Sequence, residues 1–173
     1  PKPIQNLIDR LAKLPTIGPK TAERLVFFLI KSEPQYLNGL VSGIIELRNT
    51  IKPCGQCHSF GVSDPCEICA EPRRNPRLLC VVAKPQDIAI IEKTKAFNGK
   101  YFIIGANFSP FESDANENGI INELTERIKR EGITEIILAL NPDMGGETIV
   151  LYLSRLFRQF PDLKLSRPAR GLP

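Results

Sequence analysis

The sequence predicts a mixed α/β chain in three successive zones: an N-terminal helical hairpin, a small four-cysteine finger, and a mostly parallel sheet flanked by helices. Three observations predict it. Residues 3–50 place apolar side chains at helical spacing. Residues 53–77 hold four of the five cysteines and four prolines (Pro53, Pro65, Pro72, Pro76), with little periodicity. From Leu78 onward, short apolar runs alternate with helical stretches, the pattern of a parallel sheet. The expected boundaries are therefore 1–52, 53–77 and 78–173.

In the first zone Ile4, Leu7, Ile8 and Leu11 fall three or four residues apart, as do Ala22, Leu25, Val26 and Leu29. A third helix is expected over about Gln35–Thr50, with Leu37, Leu40, Ile44, Ile45 and Leu47 as its apolar face. The second zone is turn-rich and too short to build a core unaided. In the third, Leu78–Val82, Tyr101–Ile104 and Ile136–Leu140 are the expected strands. The last has no polar face, which suits a strand covered on both sides. Helices are expected over about Pro85–Thr94, Ile120–Glu131 and Glu147–Phe160. Gly132 stands where a left-handed helix cap is wanted.

Composition bounds the function. Hydrophobic content of 42% and charged content of 24% are those of a soluble globular protein. No apolar run approaches the roughly 20 residues needed to span a bilayer. The N-terminus lacks the basic-then-apolar order of a signal peptide, so a cytoplasmic location is expected. Net charge is +4, with 11 Lys/Arg against 7 Asp/Glu in residues 1–77 and 12 against 12 in residues 78–173. That bias fits phosphate binding by the first half and equally an ordinary solvated surface.

Cys54-Gly-Gln-Cys57 and Cys66-Glu-Ile-Cys69 are two CxxC pairs with eight residues between them. Two residues between thiolates let both sulfurs reach one metal from a tight turn, and two such knuckles complete a tetrahedral zinc site. One structural Zn²⁺ on Cys54, Cys57, Cys66 and Cys69 would supply folding energy that the segment lacks, and would lower the net charge to +2. Cys54 to His58 also spells the c-type haem pattern, but that needs export and leaves Cys66 and Cys69 unexplained. A thioredoxin-like pair needs a strand–helix setting that is absent, and disulfides are disfavoured in a cytosolic chain. His58, the only histidine, adjoins a ligand whose site is already full. Cys80, on an apolar strand, reads as a buried small hydrophobe.

Between the first two helices runs Leu14-Pro-Thr-Ile-Gly18-Pro-Lys20-Thr-Ala22-Glu-Arg24-Leu. A short turn with Gly18, then a new helix N-terminus, presents free N–H groups to an anion. Lys20 and Arg24, four apart, share a helix face. The segment resembles the helix–hairpin–helix motif of sequence-independent DNA binders, with Thr16 in place of the first glycine. β-Branched Thr resists positive φ, so the hairpin is open to alteration there. A plain αα-hairpin that only packs is the competing reading.

After the strand at 136–140 comes Asn141-Pro-Asp143-Met-Gly145-Gly-Glu147. It resembles the Toprim motif of topoisomerases and primases, Asp-x-Asp-x-x-Gly-Glu, in which clustered carboxylates hold Mg²⁺ beside a phosphate. Asp143 and Glu147 remain, but Asn141 and Gly145 stand where acids are wanted, and Val82-Ala83-Lys84 carries no Glu after the first strand. A Toprim-like fold kept as scaffold is expected over a working catalytic site, so the chain reads as not an enzyme.

These modules in this order resemble the RecR family over nearly the whole chain. Lys100-Tyr-Phe, Ser109-Pro and the final Gly171-Leu-Pro carry the likeness further. The resemblance implies a non-enzymatic mediator of recombinational repair that binds double- and single-stranded DNA. It implies RecO and RecF as partners, recombinase loading onto SSB-coated strands, and dimers that close into tetrameric rings. It places Gly18, Lys20 and Arg24 toward DNA, and Asp143 and Glu147 toward RecO. Family members continue past Gly-Leu-Pro with a further stretch that takes part in subunit contacts. Two other functions compete: a metal-dependent Toprim nuclease or topoisomerase-type enzyme, and an interaction scaffold that does not touch DNA.

Overall fold

The computed structural model describes residues 1–106, 108, 109 and 115–169, leaving aside the side chains of 115–118. Pro110 and the Gly171-Leu-Pro stretch lie outside the described residues. The chain divides into two compact units, Pro1–Thr50 and Ile51–Pro173. Among the described residues no helix is long and apolar enough to cross a membrane.

The first unit holds α1 (Lys2–Leu11), α2 (Pro19–Lys31) and α3 (Pro34–Thr50). Pro sits at the first positions of α1 and α2, where its missing N–H costs nothing. α1 packs on α2, whose buried residues are Ala22 and Val26. α3 begins one residue before the expected Gln35. Of its expected apolar face only Leu37 is half-buried, whereas Leu40, Ile44, Ile45 and Leu47 are exposed within the single chain, as is Val41.

The second unit opens with a minimal antiparallel hairpin, β1 (Lys52–Pro53) and β2 (Phe60–Gly61), and the one-turn helix α4 (Glu67–Ala70). There follow β3 (Leu78–Val82), α5 (Pro85–Lys93), β4 (Lys100–Ile103), α6 (Ala115–Glu131), β5 (Glu135–Ala139), α7 (Met144–Leu156), a 3₁₀ turn (Phe157–Gln159) and β6 (Lys164–Ser166). The four long-range strands pair in parallel in the order β4-β3-β5-β6. One face carries Leu79, Val81, Phe102, Ile136 and Leu138 under Leu124 and Ile128 of α6 and Ile149 and Leu153 of α7. The other carries Cys80, Val82, Tyr101, Ile103 and the half-buried Ile137 under Ile88 of α5. β3 is buried on both faces and β5 on one with the other half-covered, which explains why Leu78–Val82 and Ile136–Leu140 lack a polar face. Each fully buried Leu, Ile or Phe contributes roughly 1.5–3 kcal/mol.

Several elements differ from expectation, each for a local reason. The last helix starts three residues earlier than Glu147, because Gly145 and Gly146 hide its first turn from propensity. It stops at Leu156 and tightens into the 3₁₀ turn before Phe160. α6 begins at Ala115, ahead of Ile120. β6 and the β1–β2 hairpin are too short for periodicity to register. Gly132, at φ +61°, takes the expected left-handed cap.

Candidate metal centre and nucleic-acid interface

The β1–β2 hairpin and α4 bring two knuckles together. In the first, the N–H of Cys54 donates to Ser59 O at 2.7 Å and that of His58 to Cys54 O at 2.9 Å. In the second, Cys66 caps α4 and accepts from the Ala70 N–H at 2.8 Å. Gly61 admits the hairpin against this knuckle, since a Cβ there would lie 2.8 Å from Cys66 Cβ. The four sulfurs lie within 4.8 Å of one another, and each cysteine is buried. Cys57 and Cys66 sulfurs are 3.7 Å apart. A tetrahedral metal with metal–sulfur bonds of about 2.3 Å places sulfurs about 3.8 Å apart, so the cluster fits one ion.

Charge gives the same answer. The amides of Cys66 and Gln56 point at Cys54 Sγ from 3.3 and 3.4 Å, donors suited to a thiolate. The Cys57 thiol is drawn down to about 5 by its hydrogen bond with Cys69, against the cost of burial. Burial first, then the Cys57 charge, pushes Cys66 up to about 11. Cys69 is pushed far above the ordinary thiol range by its hydrogen bond to Cys57 and by burial. One thiolate forms readily and opposes the others, so four thiolates need a cation among them.

The finger is joined to the sheet. The Ile103 N–H, at the end of β4, donates to Cys57 O at 2.9 Å. Lys100 Nζ donates to Cys69 O at 2.9 Å. Arg127 of α6, only 2% exposed, donates from Nη1 to Gln56 O and to Tyr101 O at 2.7 and 2.8 Å. His58 takes a left-handed backbone at φ 61°. Its ring stands edge-on to Phe102, and Nε2 lies 2.9 Å from Glu123 Oε2, an ion-pair distance without hydrogen-bond alignment. Sequence reasoning missed Arg127. The available signal was an arginine between Leu124 and Ile128, on the apolar stripe of a helix.

In the other unit, the chain leaves α1 through a turn in which Ile17 N–H donates to Leu14 O at 3.1 Å. Thr16 takes φ 67°, a left-handed backbone held by a β-branched residue. Gly18 caps α2 with an ordinary extended backbone. Lys20 and Arg24 are exposed one turn apart on α2, beside that helix N-terminus.

At the C-terminal edge of the sheet, where parallel folds place ligands, a cleft of about 290 Å³ lies between Ala83, Asn141, Asp143 and Gly146. Asp143 caps α7, accepting from the Gly146 N–H at 2.8 Å. Glu147 accepts instead from Arg167. The two acids are thus engaged separately, and Lys84 caps α5 with its N–H donating to Asp87 at 3.0 Å. A Cβ on Gly146 would lie 2.0 Å from Asn141 O, so glycine is needed at this turn. Cys80 is buried in the sheet at 2% exposure.

Two known families match separate stretches of the chain. Residues 77–169 match the Toprim domain family, and residues 4–47 match the family described as RecR, helix-hairpin-helix. "Recombination protein RecR" of Mycobacterium leprae is 39% identical over 99% of this chain and 86% of its own length. The protein of that name from Mycobacterium ulcerans is 40% identical over the same shares. The one from Acidothermus cellulolyticus is 38% identical over 98% of this chain and 85% of its own length. The chain belongs to the RecR family of recombination proteins.

Proposed function

We propose that the chain is a non-enzymatic DNA-binding mediator of recombinational repair, working in the cytoplasm with RecO and RecF to load recombinase onto single-stranded DNA. The observation that carries DNA contact is Lys20 and Arg24, exposed on one face at the start of α2. Their charges, with Gly18 at the helix N-terminus, suit the phosphates of double- and single-stranded DNA alike. The four-cysteine site takes zinc as a structural ion: all four ligands are thiolates, no position is left open, and zinc favours this donor set. Residues 53–77 then act as a brace on the sheet at 78–173. Asp143 and Glu147, beside the cleft, are surface acids for RecO. The exposed apolar residues of α3 suit a homodimer or tetrameric ring.

The absence of an enzymatic role rests on chemistry. A Toprim reaction needs carboxylates converging on Mg²⁺, whereas Asp143 is bonded to its own helix and Glu147 to Arg167. The deciding experiment is DNA retention by Lys20→Glu with Arg24→Glu. The mediator reading expects weaker binding and a shallower salt dependence, and unchanged retention would favour a scaffold that does not touch DNA. Nicking of supercoiled DNA with Mg²⁺, abolished by Asp143→Ala, would establish the enzyme instead.

A further inference from the structure

We propose that Phe28 and Tyr36 form a stacking platform for unpaired bases, so that the helical unit holds single-stranded DNA by its bases as well as its phosphates. The proposal rests on the DNA-contact reading above and deepens it. Lys20, Arg24 and Phe28 follow one another at four-residue spacing along α2, and Phe27 and Lys31 continue the same side. Arg24, Phe27, Phe28 and Lys31 line a surface groove of about 440 Å³ with Glu23. Phe28 is 57% exposed and Tyr36 52%, which is unusual for two aromatic rings in mutual contact. Their centroids are 5.9 Å apart and their planes at 88°. An edge-to-face pair uses at most one face of one ring, so each ring keeps a face free for a planar ligand.

Charge selects the occupant. α2 carries three cations, Lys20, Arg24 and Lys31, against the single acid Glu23. A second copy pressed on this face would oppose like charges, whereas a polyanion that also brings flat apolar rings satisfies both features. The helix α3 offers the contrasting surface, with Leu40, Val41, Ile44 and Ile45 adjacent and no cation between Pro34 and Leu47. In duplex DNA the base faces are already stacked on one another. Only an unpaired strand presents a base face next to its phosphates, and stacking on aromatic side chains is indifferent to sequence.

The test compares three probes on the full chain: oligo-dT, an abasic oligonucleotide of the same length, and a duplex. Stacking predicts tighter binding to oligo-dT than to the abasic strand, on the order of ten-fold. Phe28→Leu with Tyr36→Leu, which keeps apolar volume, should close that gap and leave duplex affinity unchanged. A gap that persists in the double variant, no gap in the parent chain, or a change of native mass on Phe28→Leu would each overturn the proposal. Lys20→Glu with Arg24→Glu keeps the two readings apart. If it leaves all three probes bound as before, DNA contact itself fails. If it weakens all three while Phe28 and Tyr36 are indifferent, stacking alone fails. The chain contains no tryptophan, so Tyr36→Trp supplies a single reporter. Its emission should be quenched by oligo-dT and not by the abasic strand, and equal quenching by both would also overturn the platform.

Discussion

The Nη1 of Arg127 donates to the carbonyl oxygen of Gln56 across 2.7 Å, tying the long helix α6 to the first cysteine knuckle. The same nitrogen serves Tyr101 O on β4, and Nε is held by both oxygens of Glu131 at 3.1 Å. One guanidinium therefore joins finger, sheet and helix in a buried setting. Arg127→Met keeps the bulk but removes the donor to the Gln56 and Tyr101 carbonyls and leaves Glu131 with Arg130 alone. It should destabilise the second unit by about 1–3 kcal/mol, the usual loss when a buried acceptor loses its donor. Urea unfolding checks this, and an unchanged midpoint would mean that the knuckle holds without the arginine.

Metal removal should loosen the sheet at the point of this join. The Ile103 N–H donates to Cys57 O, a carbonyl positioned by the knuckle. Chelation at neutral pH should speed hydrogen exchange at Ile103 and leave Ala22, in the other unit, unchanged. The pH dependence has a definite sign. With Cys66 pushed up to about 11 in the metal-free cluster, metal binding must release protons, so apparent affinity rises with pH and falls on acidification. Competition with a chromophoric chelator between pH 6 and about 8 measures it.

How much of this was legible in the sequence depended on whether the signal was local. Leu78–Val82 was bounded residue for residue, because five apolar residues between charged and turn-forming neighbours have one economical reading. The clustering of the four cysteines was equally plain, since two CxxC pairs at this spacing can bring four sulfurs together. The left-handed Thr16 was hidden, because the residue type argues against the conformation it adopts. Arg127 was hidden for another reason: on a helix, arginine reads as surface until a carbonyl from residue 56 is known to lie above it. The partners of Asp143 and Glu147 were likewise invisible, one bonded three residues ahead and the other to Arg167.

Thr16 predicts a stabilising substitution. A non-glycine residue in the left-handed region costs about 1–2 kcal/mol, more acutely with a branched Cβ. Thr16→Gly removes that cost and gives back part of it as unfolded-chain entropy, so a net gain of about 1 kcal/mol is expected. Thermal unfolding of the helical signal tests it. Duplex DNA affinity should be unchanged, since the glycine restores the geometry that Thr16 already adopts.

Glu92 predicts a pH-dependent contribution. Burial pushes its carboxyl up, but Arg74 and the Tyr101 hydroxyl outweigh burial and hold it below its ordinary 4.5. The folded state therefore binds fewer protons at this site than the unfolded chain. Its stabilisation is present above pH 4.5 and is lost as pH falls below that value toward the folded pKa. Glu92→Gln should cost about 2 kcal/mol at neutral pH, as expected for a charged hydrogen-bonded pair. The difference from the parent chain should shrink in acid, where denaturation midpoints would converge. A constant difference across pH would assign the effect to packing.

Asp143 caps α7, and the proposed function also turns its charge toward RecO. Asp143→Ala removes the acceptor of the Gly146 N–H and should cost about 1 kcal/mol of stability. Asp143→Asn keeps a capping side chain and removes only the charge, so it should unfold with the parent chain. If the charge faces RecO, Asp143→Asn should weaken RecO capture, and Glu147→Gln, which removes the charge beside Arg167, should do likewise. Capture at the parent level by both variants would confine Asp143 to capping. Gly146→Ala is the contrasting control: a Cβ 2.0 Å from Asn141 O forces the backbone to move, so its loss of stability should exceed that of Asp143→Ala.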